Sequence, residues 1–472
     1  MTFPFLLSFK KNLEIKSDAN DCLIIDPAGV TVRTKSPSTG TRMLLKLLLG
    51  PGGTKEALCD TVAAADGSQS YAGTFYFLQQ LDQKGFFCRT VILDNVLLAT
   101  LIPMSQPFGF ADTPVDPAHK FTLSRFAFCR NDNGRMILEC PLGHGKLALG
   151  GQGMQMIASL ATPVSISDIC KFHGIADERS IQAFFSLLMN IKALEVTGKA
   201  PEGPRETALS QWDFHDLLFH TRSRAGRTDH PFGATFRFMG KIDPLPAVKP
   251  PIAKEHLALF RPDLETLKRE DPSFTQVLER RRSVRDCSQI PLTCDQVGEF
   301  LYRSCRVKGT RDADPARGAY YQRTHRPWPS GGAMHGLEIY AVVNECEGIA
   351  PGLYHYDPLA HELETLSGSC ELTEKLLDQA CMASNLQYEP GVLFVMTARF
   401  QRTAWKYESM AYAVMLKDLG ALYQTFYLVA TAMNLSPCAI GAGDSDLFAQ
   451  AAGLEYYAET SIGEFLLGGG MD

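Results

Sequence analysis

No two cysteines stand in a CxxC spacing, which removes the usual sequence sign of a zinc ribbon or a thioredoxin-like redox site. The thirteen cysteines present, Cys22, Cys129, Cys287, Cys346 and Cys438 among them, lie in unrelated contexts. An odd number without framework spacing reads as reduced thiols. No set of side chains has metal-ligand spacing, so no metal is expected. Charge of one sign is also scarce. A net charge of −6 gives no reason to expect a polyanionic ligand. The apolar start, Phe3-Pro4-Phe5-Leu6-Leu7, has no basic stretch before it and no small-residue cleavage site, against a secretory signal. The longest apolar segment, Met410 to Met433, is interrupted by Lys417, Asp418 and Gln424. It reads as a buried helix and not as a membrane span. These absences point to a soluble, cytoplasmic protein without a membrane partner. Its 472 residues, 45% apolar and 21% charged, are enough for two to four domains with real cores.

In the first hundred residues, the β-like runs Cys22–Ile25 and Val30–Val32 flank turn chemistry at Asp26-Pro27-Ala28-Gly29. Helical patterns follow near 41–49 and 54–65. A third carries Phe75, Leu78 and Leu81, and a strand resumes at Phe86-Phe87-Cys88. The order then recurs. Runs at 124–129 and 136–140 bracket Asn131-Asp132-Asn133-Gly134, a strong hairpin signal. Helical patterns come at 155–160 and 166–173, and a third holds Ile181, Phe184, Phe185 and Leu188 before a strand at 192–196. Strands, then helices, then a strand in so short a span resembles a winged-helix unit, present twice.

Winged helices often bind DNA. Here residues 1–100 carry ten Lys/Arg against nine Asp/Glu, and residues 101–200 carry nine against eight. Without a cationic excess, nucleic acid is not the expected partner. Two folded spacers that only brace the rest of the chain are the competing reading. Beyond them, Leu245-Pro246-Ala247-Val248-Lys249-Pro250-Pro251 reads as an extended linker, and the apolar 212–220 segment is expected to dock on a domain. The C-terminal half reads as α/β or α+β, with strands near 337–343, 352–356, 392–398 and 464–467. Helices are expected near 274–280, 294–302, 373–382, 411–434 and 445–452.

Three features of that half carry chemistry. In Arg280-Arg281-Arg282-Ser283-Val284-Arg285, guanidiniums crowd together and repel unless an anion sits among them. Arg is suited to bidentate phosphate recognition, although a solvated basic helix end has the same pattern. Pro329-Ser330-Gly331-Gly332-Ala333 precedes a strand, and its small residues let backbone approach a flat ligand. Gly441-Ala442-Gly443 forms a second such turn before a helix. Histidines at 215, 220, 325, 335 and 355 read as structural residues, with His335 close enough to the first turn to neighbour a site.

In this order the set resembles the nitroreductase superfamily of FMN enzymes. More closely, with Pro351–Asp357 and Trp405-Lys406-Tyr407-Glu408, it is similar to the SagB-type, McbC-like azoline dehydrogenases, which include the cyanobactin oxidases. The resemblance implies an α+β fold: two winged-helix-like peptide-clamp modules over 1–105 and 106–200, a linker and docking segment over 201–265, and a nitroreductase-like FMN domain over 266–472. Arg281 and Ser283 would hold the FMN phosphate, with Arg282 and Arg285 near the ribityl chain and ring. Pro329, Ser330, Gly331 and Gly332 would cover the ring across a homodimer interface, with the long helix as the dimer core. Gly441, Ala442 and Gly443 would present N–H groups to the flavin. Two departures stand out: Ala333 replaces a common Asn, and the tail Leu467–Asp472 lacks the basic phosphate clamp.

In this family Lys406 and Tyr407 are implied to be catalytic. Aromatising an azoline takes a proton from one ring carbon and a hydride from its neighbour. Flavin takes the hydride, and a general base must take the proton. Either residue can be that base with the other as its electrostatic partner. The implied activity is oxidation of thiazoline or oxazoline rings in a ribosomally made precursor peptide, with dioxygen as acceptor and a cyclodehydratase as a further partner. An NAD(P)H-dependent flavin reductase and a flavin-free peptide-binding scaffold are the alternatives.

Overall fold

The computed structural model describes residues 1–472 except 1, 2, 4, 12, 18–20, 27, 28, 106, 107, 113, 114, 199–202, 286–289, 387–389, 471 and 472. Cys287, the Pro27-Ala28 pair of the first expected turn and the last two tail residues lie outside the described set. The chain divides into two compact units, residues 1–230 and 231–472.

The front unit repeats a helical theme. A three-stranded sheet, Glu14–Ser17, Asp21–Ile25 and Thr31–Lys35, leads into helices Thr39–Leu49, Lys55–Asp66 and Tyr71–Gln83. Further on, helices Gly151–Ser159, Ile166–His173 and Glu178–Asn190 lead into the strand Leu194–Val196. Local chemistry sets these bounds. Ser165 and Asp168 form a capping box, and Gly174 stops that helix in the left-handed conformation. Asn133 and Gly134, both at positive φ, close the hairpin of Phe128–Asp132 and Arg135–Glu139. One six-stranded sheet runs through both halves. Its order is Leu6–Phe9, Phe87–Leu93, Val96–Pro103, Gly145–Leu149, Arg135–Glu139, Phe128–Asp132. The helix Phe214–Arg222 sits on this unit by burying Leu217 and pairing Arg222 with Glu139 at 2.8 Å.

The second unit is built on a seven-stranded sheet. Its order is His256–Ala258, Glu362–Gly368, Gly352–Asp357, Leu337–Val343, Val392–Arg399, Glu459–Gly470, Leu435–Ile440. The three strands from Leu337 to Gly470 in that order bury nearly every side chain. The helices Cys294–Cys305 and Ala411–Ala432 pack on one face through Phe300, Leu422 and Phe426. The Pro-rich 245–251 stretch, expected as a linker, is fixed to this unit instead. The carbonyls of Leu245, Pro246 and Ala247 accept from the buried guanidiniums of Arg402, Arg399 and Arg326. Proline keeps those carbonyls as acceptors while removing donors, so the segment suits a bed of guanidiniums. No helix among the described residues is long and apolar enough to cross a membrane.

Candidate active site

The Arg-rich run starts where the helix Phe274–Arg280, capped by Ser273 and Gln276, gives way to extended backbone at Arg281. Val284 N–H donates to the Pro437 carbonyl at 2.8 Å, which anchors the run to the strand Leu435–Ile440. The Tyr427 hydroxyl accepts Ala439 N–H at 2.8 Å and lies 2.7 Å from Ser283 Oγ. The Arg281 guanidinium lies 5.3 Å from the centre of the same Tyr427 ring. Arg280 is engaged with Asn434 at 2.8 Å. Arg282 and Arg285 are exposed, and none of Arg281, Arg282 and Arg285 pairs with a carboxylate among the described residues. Such a donor set, with the Ser283 hydroxyl, fits a phosphate.

The Pro329–Ala333 turn is held from below. Ser330 donates its hydroxyl to Asp418 at 2.6 Å, Gly331 N–H donates to Asp418 at 2.9 Å, and His335 N–H donates to Ser330 Oγ at 2.9 Å. Asp418 is 6% exposed on the helix Ala411–Ala432, and burial raises its carboxyl above the usual range. A Cβ on Gly331 would stand 2.4 Å from Val414 Cγ1, so only glycine lets the turn lie this close to that helix. Asp418 and Tyr427 are nine residues apart, about 13 Å along the helix axis, so one helix supports both the turn and Ser283.

Lys406 ends the short helix Phe400–Lys406, which follows the strand Val392–Arg399 without a break. In the fold, Lys406 is half-buried at a helix end. Arg402, fully buried on that helix, donates to carbonyls of Met334, Leu245 and Gln322. Tyr407 pairs with Ala234 in a two-residue ladder. Lys406 Nζ donates to the Tyr321 hydroxyl at 2.8 Å, and Tyr321 donates to the Gly332 carbonyl at 2.7 Å. Gly332 has φ +65°, and a Cβ there would meet Lys406 Nζ at 2.4 Å and Tyr407 Oη at 2.7 Å. The fold therefore brings Gly332, Lys406 and Tyr407 to one point.

Gly441, Ala442 and Gly443 form an exposed turn after the strand Leu435–Ile440. A Cβ on Gly443 would stand 2.2 Å from a Glu464 carboxylate oxygen, so the turn lies directly on that side chain. Glu464 is 9% exposed, and burial pushes its carboxyl up to about 7. His335 and His355 are both buried. Burial, aided by Arg326 and Arg402, pushes His335 down to about 3, and His355 is buried between Glu364 and Glu338. In the front unit, Asp213, His215 and Asp216 bring ligand atoms within 4.8 Å of one another, but all three are exposed. Among the described residues nothing else there points to an ion. Tyr321, Asp418, Arg402 and Glu464 escape a sequence reading. The one signal was Asp418, a lone acid in an apolar helix.

Residues 278–468 match the sequence model of the nitroreductase family. Over 181 residues the chain is 30% identical to MJ1384 of Methanocaldococcus jannaschii, which is named as a nitroreductase. That match covers 38% of this chain and 82% of the relative. The chain belongs to the nitroreductase family. Its front unit also matches two models named for a cyanobactin oxidase: the ThcOx helix-turn-helix domain over 1–111 and cyanobactin oxidase ThcOx over 121–229. Two further relatives are named as processing proteins. The trifolitoxin-processing protein TfxB of Rhizobium leguminosarum bv. trifolii is 34% identical over 110 residues, covering 23% of this chain and 30% of TfxB. The microcin B17-processing protein McbC of Escherichia coli is 26% identical over 182 residues, covering 38% and 62%. The resemblance to McbC-like oxidases and the α+β fold, a helix-turn-helix unit followed by a nitroreductase domain, are thus borne out.

Proposed function

We propose that this chain is an FMN-dependent oxidase that converts thiazoline or oxazoline rings of a ribosomally made peptide into thiazoles or oxazoles. The observation that carries the reading is the convergence of Lys406 Nζ and Tyr407 Oη on Gly332, beside the Ser330-Gly331 turn. Arg281 and Ser283 suit the phosphate end of the cofactor, Arg282 and Arg285 its ribityl chain and ring, and the open Gly441-Ala442-Gly443 turn would face the ring. When bound, FMN supplies a two-electron acceptor for the hydride, and dioxygen is the final oxidant. The ring-carbon proton passes to the Lys406–Tyr407 pair. The second carbon–hydrogen bond breaks with its electron pair, and the azole ring closes its aromatic system. Ser330 and Gly331 would form a wall beside the ring, and Asp418 holds that wall in place.

A homodimer fits the long helix Ala411–Ala432, which leaves Tyr412 and Leu416 exposed. In that reading Pro329 to Gly332 cover the ring of the partner's cofactor. The front unit, read as peptide-clamp modules over 1–105 and 106–200, offers open edges at Glu14–Ser17 and Thr31–Lys35 for strand addition by a precursor peptide. A cyclodehydratase that forms the azoline is the partner this chemistry requires, and a cytoplasmic setting suits reduced thiols. The test is an absorbance spectrum of purified protein, then mass spectrometry of a thiazoline peptide for the loss of two hydrogens. Lys406→Ala combined with Tyr407→Phe should abolish that loss with FMN retained. Colourless protein, or full turnover in the double variant, would remove the proposal.

A further inference from the structure

The Tyr321 hydroxyl has one proton, and that proton is directed at the Gly332 carbonyl at 2.7 Å. Its oxygen is left to accept, and the donor it receives is Lys406 Nζ at 2.8 Å. The Lys406 nitrogen also faces the rings of Tyr407, Tyr321 and Phe236 at 5.0, 5.2 and 5.9 Å from their centres. Ring faces attract a cation far more strongly than a neutral amine, so these contacts favour an ammonium. No carboxylate pairs with Lys406 among the described residues, so its charge is free to act on its neighbour. Lys406 Nζ and Tyr407 Oη flank the same Gly332 position at 2.4 and 2.7 Å, hence within about 5 Å of one another.

We propose that Tyr321 is a positioning residue that divides the labour of this pair. By accepting Lys406 while bound to Gly332, it holds Lys406 as the cation and leaves proton acceptance to Tyr407. The inference rests on the reading of Lys406 and Tyr407 as the proton-removing pair. With Tyr407 as the phenolate, its charge offset by the Lys406 ammonium, the proton leaves the azoline carbon for the Tyr407 oxygen to give the phenol, and the hydride leaves the neighbouring carbon for the flavin.

The test compares the full chain with Tyr321→Phe, Tyr321→His, Lys406→Ala and the Tyr321→Phe/Lys406→Ala double variant. Each is assayed on a thiazoline peptide for the loss of two hydrogens. Tyr321→Phe should lower kcat roughly ten- to a hundredfold with KM within about twofold and flavin absorbance unchanged. Adding Tyr321→Phe to Lys406→Ala should change kcat no further, since the hydroxyl acts through the lysine. Tyr321→His keeps a ring and a hydrogen-bonding atom and should fall between wild type and Phe. If the Phe variant does not fold, the histidine variant decides: kcat must fall at constant KM. Wild-type kcat in the folded Phe variant, or an equal loss on both backgrounds, overturns the role of Tyr321. A wild-type chain that leaves the thiazoline unoxidised overturns the underlying function instead.

Discussion

Asp418 is the single acidic residue of the helix Ala411–Ala432 and accepts the Ser330 hydroxyl at 2.6 Å and the Gly331 N–H at 2.9 Å. Replacing it leaves two donors without a partner in a site 6% exposed. Asp418→Ala should therefore lower unfolding free energy by about 2–4 kcal/mol. Asp418→Asn keeps a side-chain acceptor and should lose less. Denaturant unfolding of the two variants checks this, and equal stability would contradict it.

Gly332 is the point where backbone meets the two reactive side chains. Its φ of +65° is strained for any other residue, and a Cβ would displace Lys406 and Tyr407. Gly332→Ala should cost about 1–3 kcal/mol of stability. The larger effect is expected in turnover, with flavin binding kept. Steady-state kinetics beside a flavin spectrum would separate the two, and normal kcat in this variant would argue against a crowded site.

Glu464 gives a pH dependence with a definite sign. Its carboxyl titrates near 7 in the folded chain, against the usual carboxylate range in the unfolded one. Between those values the folded state holds the extra proton, so wild-type stability falls as pH rises through that window. Glu464→Gln removes the titration and should gain relative stability of about 2–3 kcal/mol between pH 4.5 and 8. Unfolding curves across that range test the point. Parallel pH profiles for the two proteins would refute it.

Much of the fold was legible because local chemistry and global packing agree. The hairpin at Asn133-Gly134, the capped helix Ile166–His173 and the strand Leu337–Val343 follow patterns that need no tertiary context. The strand Leu435–Ile440 was not legible, because Ser436 and Pro437 look like turn residues. Pro437 is tolerated because this is the outermost strand of the sheet, and its carbonyl serves Val284. The helix Phe400–Lys406 was hidden by its length of seven residues and by the strand it continues. In the candidate site, the phosphate-type arginines and glycine turns could be read from residue type. The meeting of Gly332 with Lys406 is set by chain crossing over 74 positions, and Tyr321 has no local signature at all.

The strand Val96–Pro103 pairs on one side with Phe87–Leu93 and on the other with Gly145–Leu149. A polypeptide cut off after residue 105 would present Leu98 and Leu101, both fully buried here, along a raw edge with unmet backbone donors and acceptors. Such a fragment would stick to copies of itself before it met any peptide. Dissection of the front half must therefore keep residues 1–230 whole.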